Sequence, residues 1–142
     1  MKMSQNNEAI KAARTWLKEW VIGLNLCPFA REPYEKNRVR FVLDDNEDPY
    51  DSLTKIISEI DHLRSCESHT TLIVYPKDGP FHDFEDFMDY CAAANDLLES
   101  ENLDADIQLA YFHPEFIFSD APKSDPANGV NRSPSPILHL LR

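Results

Sequence analysis

The sequence predicts an α/β domain: a small sheet of about three mainly parallel strands with helices packed on it, a long proline-rich loop and a short C-terminal helix. Three observations predict it. Apolar residues recur at helical spacing in three separate stretches, and a short β-prone run follows each stretch. Helices lying between successive strands imply parallel pairing through crossover connections. With 142 residues there is chain enough for one hydrophobic core and not two.

The elements follow in order. Ile10, Ala13, Leu17, Trp20/Val21 and Leu24 form one apolar stripe, predicting an amphipathic helix over 8–22 after a flexible start over 1–7. Asn6 or Asn7 can cap its start, and Gly23 and Asn25 can stop it. Residues 38–43 alternate, with Val39, Phe41 and Leu43 on one side, and read as a strand. Asp48 as N-cap and Pro49 as first helical residue then open a helix to about residue 65. Thr70 to Tyr75 is a short apolar run, the pattern of a strand covered on both faces. A third helix is expected from about Asp83 to Ser100 and a third strand over 106–112, with Ile107, Leu109 and Tyr111 facing one way.

Residues 113–136 hold five of the ten prolines and no sustained apolar period. A loop of that length in a small domain is more often functional or mobile than idle. Ser135 and Pro136 then read as the cap and first position of a terminal helix over 137–142.

Composition narrows the chemistry. Three glycines in the whole chain exclude a P-loop or a dinucleotide-binding turn. Net charge is −11, with eighteen acidic and three basic residues between 41 and 106, so no nucleic acid partner is expected. The longest apolar run near the start, Trp20 to Leu24, is too short to span a bilayer, and no secretory signal precedes it. Three widely spaced cysteines (Cys27, Cys66 and Cys91) without a CxxC pair suit reduced thiols in a cytoplasmic protein. No membrane contact and no cofactor are expected, and oligomeric state is left open. Asp44, Asp45 and Asp78 could suit Mg²⁺. A solvated acidic turn explains the first two more simply, and no metal is expected.

Ligands of parallel α/β sheets gather at the carboxyl ends of the strands. That edge receives Asp44, Asp45, His82, His113, Asn131 and Arg132. His113 can move a proton near neutral pH, or it can be a histidine bonded to loop backbone. Arg132 offers a planar donor fork to a carboxylate or phosphate. Ser133, Ser135 and the backbone N–H groups opening the expected terminal helix add neutral donors, making an anion cradle. Cys27 sits on a proline-flanked corner within Gly23 to Ala30, with Asn25 beside it. Cys27-Pro28-Phe29-Ala30 superficially resembles the active-site corner of glutaredoxins, but there the thiol follows a strand. Here the residues before it read as helical, and Pro33 would break a helix after it. A buried structural cysteine is the plainer reading.

The strings Gly23-Leu24-Asn25-Leu26-Cys27-Pro28-Phe29-Ala30, Phe112-His113-Pro114 and Asn131-Arg132-Ser133-Pro134, followed by Leu138-His139-Leu140-Leu141-Arg142, resemble the bacterial family catalogued as domain of unknown function 1415. The resemblance covers about Ala12 to Arg142. It imports no activity, but it implies that Cys27, His113, Asn131 and Arg132 belong together. Relatives extend past the leucine-rich end, which implies a terminal helix cut short at Arg142.

Together these readings predict a small-molecule enzyme acting on an anionic substrate, a carboxylate or phosphate. Cys27 is the candidate nucleophile and His113 the general acid or base. Asn25, Asn131, Arg132 and Ser133 are the candidate substrate contacts. The alternatives are a non-catalytic binding module for an anionic metabolite and a protein-interaction domain.

Overall fold

A computed structural model describes residues 2–18, 39–65, 70–117 and 132–141. Three helices, α1 (Lys2–Trp16), α2 (Pro49–Ser65) and α3 (Phe84–Ser100), accompany four strands. The strands are β1 (Val39–Leu43), β2 (Thr70–Val74), β3 (Gln108–Phe112) and β4 (Ile137–Leu141). The order across the sheet is β1-β2-β4-β3.

Local chemistry sets the helix starts. Asp48 Oδ1 accepts from the Tyr50 N–H at 2.9 Å, ahead of Pro49, which has no amide hydrogen to satisfy. Asp83 caps α3 by accepting from the backbone N–H groups of Glu85 and Asp86 at 2.8 and 3.1 Å. Each helix then buries one stripe: Ser52, Ile56, Glu59, Ile60 and Leu63 on α2, and Phe87, Tyr90, Cys91, Ala94 and Leu98 on α3.

Strand alternation sends β2 to both faces. Leu72 and Val74 pack with Ala13 and Leu17 of α1, whereas Ile73 and the following Tyr75 join the cluster built on α2 and α3. The sheet is therefore covered by α1 on one face and by α2 and α3 on the other. On the sheet's outer strand, Arg40 reaches over to Glu59 with two bonds, Nε to Oε2 at 3.0 Å and Nη2 to Oε1 at 3.1 Å.

The expected terminal helix is strand β4, and the sheet is not mainly parallel. β1 pairs with β2 in parallel, but β4 lies between β2 and β3 and is antiparallel to both. Ile137-Leu138-His139-Leu140 is buried on both sides, and so short a run, apolar but for its histidine, carries no period that separates a strand from a buried helix. β3 ends and β4 begins on one edge, so the chain enters the slot between β2 and β3 without a crossover. The helix expected over 8–22 begins at Lys2 instead, so Asn6 and Asn7 lie inside it and residues 2–7 are helical. No glycine or proline precedes Gly23, and Lys, Met and Gln are good helix formers. The end expected at residue 22 lies outside the described residues.

Among the described residues no helix is long and apolar enough to cross a membrane. His139, midway along β4, is 6% exposed, and its Nε2 lies 2.5 Å from Thr70 Oγ1. Burial pushes its pKa down to about 4. The unfolded chain therefore binds this proton near the ordinary histidine value of about 6.5, well before the folded one does. The resulting stability is full above that value and is lost as pH falls toward 4, by roughly 3 kcal/mol. In urea titrations at pH 7 and pH 4, His139→Leu is expected to lose about that much less stability than the wild type. Equal losses in the two proteins would refute a neutral buried imidazole.

Candidate ligand-binding cleft

The edge where β1 and β2 end and β4 begins carries three short connections. The first follows β1. The Asp44 N–H donates to the Val74 carbonyl at 2.9 Å, extending the parallel ladder. Its carboxylate is buried, 1% exposed, and Oδ1 accepts from the Asn46 backbone N–H at 3.0 Å and from Nδ2 at 2.8 Å. Oδ2 has no hydrogen-bond partner. Asp45, next along, is exposed.

The second connection, 76–82, is folded by Gly79 N–H to Pro76 O and His82 N–H to Gly79 O, both at 3.1 Å. A Cβ on Gly79 would stand 3.3 Å from the Pro76 carbonyl oxygen, a tight approach that favours glycine there. The His82 imidazole donates from Nδ1 to the Lys77 carbonyl at 3.1 Å and is exposed. The third connection brings residues 132–136 into β4, and the Tyr75 N–H donates to the Pro136 carbonyl at 2.9 Å.

Between these connections and α1 lies a cleft of about 460 Å³. Helix α1 supplies Glu8, Ala9 and Ala12, and the turn after β1 supplies Asp45 and Glu47. The second connection contributes Pro76 to Pro80, and the approach to β4 contributes Pro134 and Ser135. Its size falls within the roughly 300–1,000 Å³ of small-molecule sites. Ser135 is 4% exposed, and its Oγ makes no hydrogen bond. A buried hydroxyl without a partner carries a cost of about 1–3 kcal/mol.

The predicted site residues lie beside this cleft in a different role. His113 is 1% exposed, between Phe84 and Phe87 at 5.3 and 5.5 Å between ring centres. Its Nδ1 accepts from the Glu115 backbone N–H at 3.0 Å, so Nε2 carries the hydrogen and donates to the Phe81 carbonyl at 2.9 Å. Both ring nitrogens are thus engaged by backbone, and burial lowers the pKa. The His113 carbonyl accepts from the Phe116 N–H at 3.2 Å, and the Phe116 carbonyl accepts from Arg132 Nε at 3.2 Å. The Arg132 carbonyl accepts from Trp16 Nε1 at 3.1 Å.

This series of bonds, Phe81 to His113 to Phe116 to Arg132 to Trp16, braces the connection after β2, the turn after β3, the approach to β4 and α1 against one another. His113 and Arg132 are therefore both bonded to the Phe116 backbone, beside the cleft. The anion cradle loses its helix: a strand begins at Ile137, and Ser133 Oγ donates to the Ser135 carbonyl at 2.5 Å. Cys27, Asn25 and Asn131 lie outside the described residues. Cys91, on α3, is buried in the core, where desolvation raises its thiol pKa well above the ordinary value.

Sequence reasoning placed Asp44, Asp45 and His82 at the ligand edge, named Asp78 as a possible Mg²⁺ ligand and Ser135 as a neutral donor of the cradle, and did not select Glu8. Ser135 read as a helix cap, and Glu8 as a first-turn residue of a helix with no reason to meet that edge. Among the described residues no group of three or more His, Cys, Asp or Glu is placed to hold a metal.

The model of a family described as "Protein of unknown function (DUF1415)" matches residues 8–142. No curated protein and no solved structure matches the chain.

Proposed function

The chain belongs to the family described as "Protein of unknown function (DUF1415)", and on that premise we propose that it is a small-molecule binding protein whose site is the cleft between α1 and the carboxyl edge of the sheet. The observation that carries this reading is the cleft itself, of ligand size, at the edge where β1 and β2 end and β4 begins. The brace through His113 and Arg132 supports it, because a binding site needs walls held in fixed register before the ligand arrives. Binding rather than proton transfer is favoured, since both His113 nitrogens are spent on backbone.

The test is a ¹⁵N–¹H titration of the full chain with a panel of small amines, carboxylates, phosphates and sugars. At least one class is expected to shift the amides of Ala9, Ala12, Gly79 and Ser135 saturably. Ala12→Trp, at an exposed position on α1, fills the cleft and is expected to abolish those shifts while leaving the melting temperature within about 2 °C, as surface substitutions do. Shifts confined to other parts of the molecule, or shifts that survive Ala12→Trp, would refute the assignment.

A further inference from the structure

The brace beside the cleft contains one bond that a proton would break. His113 Nδ1 accepts from the Glu115 N–H at 3.0 Å, and Nε2 donates to the Phe81 carbonyl at 2.9 Å. A neutral imidazole does both, with one nitrogen bare and the other carrying hydrogen, but an imidazolium is a donor at both nitrogens. The Phe81 carbonyl accepts from either form. A proton on Nδ1, by contrast, sets one N–H against another, so the ion does not fit the closed turn 113–116. That turn is otherwise closed by the Phe116 N–H donating to the His113 carbonyl at 3.2 Å. His113 lies one residue past the end of β3, outside the ladder with β4.

The groups that face the ring come from three elements. Helix α3 presents the uncharged rings of Phe84 and Phe87. The connection 76–82 presents the backbone of Phe81 and His82, which favours the ion, and the His82 imidazole, which opposes it. The turn's own Glu115 carboxylate favours the ion, but Glu115 is exposed and water screens it. Burial outweighs these and holds the His113 pKa below the ordinary histidine value.

We propose that His113 is a proton-operated latch: a proton taken up at Nδ1 releases the Glu115 N–H and opens the turn 113–116, on which Arg132 rests, while the sheet stays folded. The proton passes from solvent to the Nδ1 lone pair, and no covalent bond within the chain changes. The ring is 1% exposed, so opening and protonation go together. The open turn binds the proton near the ordinary value of about 6.5 and the closed turn binds it less well, so acid favours opening by up to about tenfold for each pH unit below that value. Above it the latch is closed. His139 differs, because it sits within β4, which is paired on both sides, and its protonation strains the whole domain. The latch does not depend on a ligand in the cleft.

Amide hydrogen exchange of the full chain, followed by NMR from neutral pH downward and corrected for intrinsic exchange rates, tests the latch. Protection of the Glu115 and Phe116 amides is expected to fall by up to about tenfold per pH unit below about 6.5. Ile73 and Leu138, in the strands paired on both sides, report opening of the whole domain and are expected to stay more protected throughout. The fall is expected to persist in His82→Asn and in His139→Leu. It is expected to vanish in His113→Asn, whose side-chain oxygen can still accept the Glu115 N–H but takes up no proton. Long-range ¹H–¹⁵N correlation of the wild-type ring at neutral pH is expected to show hydrogen on Nε2 and none on Nδ1.

Hydrogen found on Nδ1 at neutral pH would overturn the latch, and so would Glu115 and Phe116 amides that keep constant protection until they exchange together with Ile73 and Leu138. Both readings use the wild-type chain and hold even if His113→Asn does not fold. A fall in protection that survives in a folded His113→Asn would overturn it as well, by assigning the proton to another group.

Discussion

A chain ended after Pro136 is expected not to fold. The five residues it would lose from β4 supply the strand between β2 and β3, with ladder partners on both sides. Ile137, Leu138 and Leu140 are each fully buried, on opposite faces of the sheet. Removing a buried Leu or Ile side chain costs roughly 2–5 kcal/mol, and three of them match or exceed the roughly 5–15 kcal/mol that holds a domain together. Residues 39–43 and 70–74 would still pair with each other, but β3 would be left without a neighbour. Circular dichroism and urea titration of the shortened chain are expected to show no cooperative transition. Leu140→Ala in the full chain gives the graded version, a loss of about 2–5 kcal/mol with the transition retained. A shortened chain that still unfolds cooperatively, or a Leu140→Ala loss well below 1 kcal/mol, would refute a central position for β4.

The second large effect belongs to Phe87. It is fully buried on the inner face of α3, with ring centres of Tyr75, Phe81, Tyr90 and His113 at 6.1, 5.9, 6.5 and 5.5 Å. Phe87→Ala is expected to cost about 3–5 kcal/mol, because the ring's neighbours come from three elements and cannot all close on the space. Phe87→Leu, nearer in volume, is expected to cost about 1 kcal/mol. The large substitution also reaches the cleft, since Phe87 supports the imidazole that holds the Phe81 carbonyl. Under conditions where both variants remain folded, the His113 ring resonances are expected to broaden in Phe87→Ala and to stay sharp in Phe87→Leu. Equal unfolding free energies for the two variants would show that the aromatic cluster is not close-packed.

The Tyr75 and Tyr90 hydroxyls inside this cluster, 3.0 Å apart, satisfy each other. Burial raises the pKa of both phenols, with the Asp44 carboxylate among the lesser causes. They therefore stay protonated, and a buried polar pair that is satisfied costs the core little. Asp44 itself is different: one oxygen is capped by Asn46 and the other has no partner. The local Asx turn, read from sequence as a solvated acidic loop, is in fact folded under the end of β2.

Much of this architecture was legible along the chain. The α2 start at Pro49, the buried β2 run from Thr70, the α3 cap at Asp83 and the inward face of β3 follow from capping chemistry and apolar period, which act over a few residues. The placing of the turns after β1 and β2 on one edge of the sheet followed too, because it depends only on strand direction. The lining of the cleft was not legible in the same way. Arg132 is a strong anion donor in isolation, but its Nε is used by a carbonyl sixteen residues earlier, whereas the carboxylates that line the cleft come from residues as far apart as Glu8 and Asp78.

By itself, then, the sequence determined α2, α3 and the three strands that run in one direction. Only the tertiary structure decided that Ile137 to Leu141 is a strand, that His113 is a brace and that Ser135 faces a cleft. The physical reason is the range of the forces. Caps, turns and periodicity are settled between neighbours, but an apolar segment becomes strand or helix according to the slot it fills, and a polar side chain becomes scaffold or site according to which distant backbone groups have already claimed its hydrogen bonds.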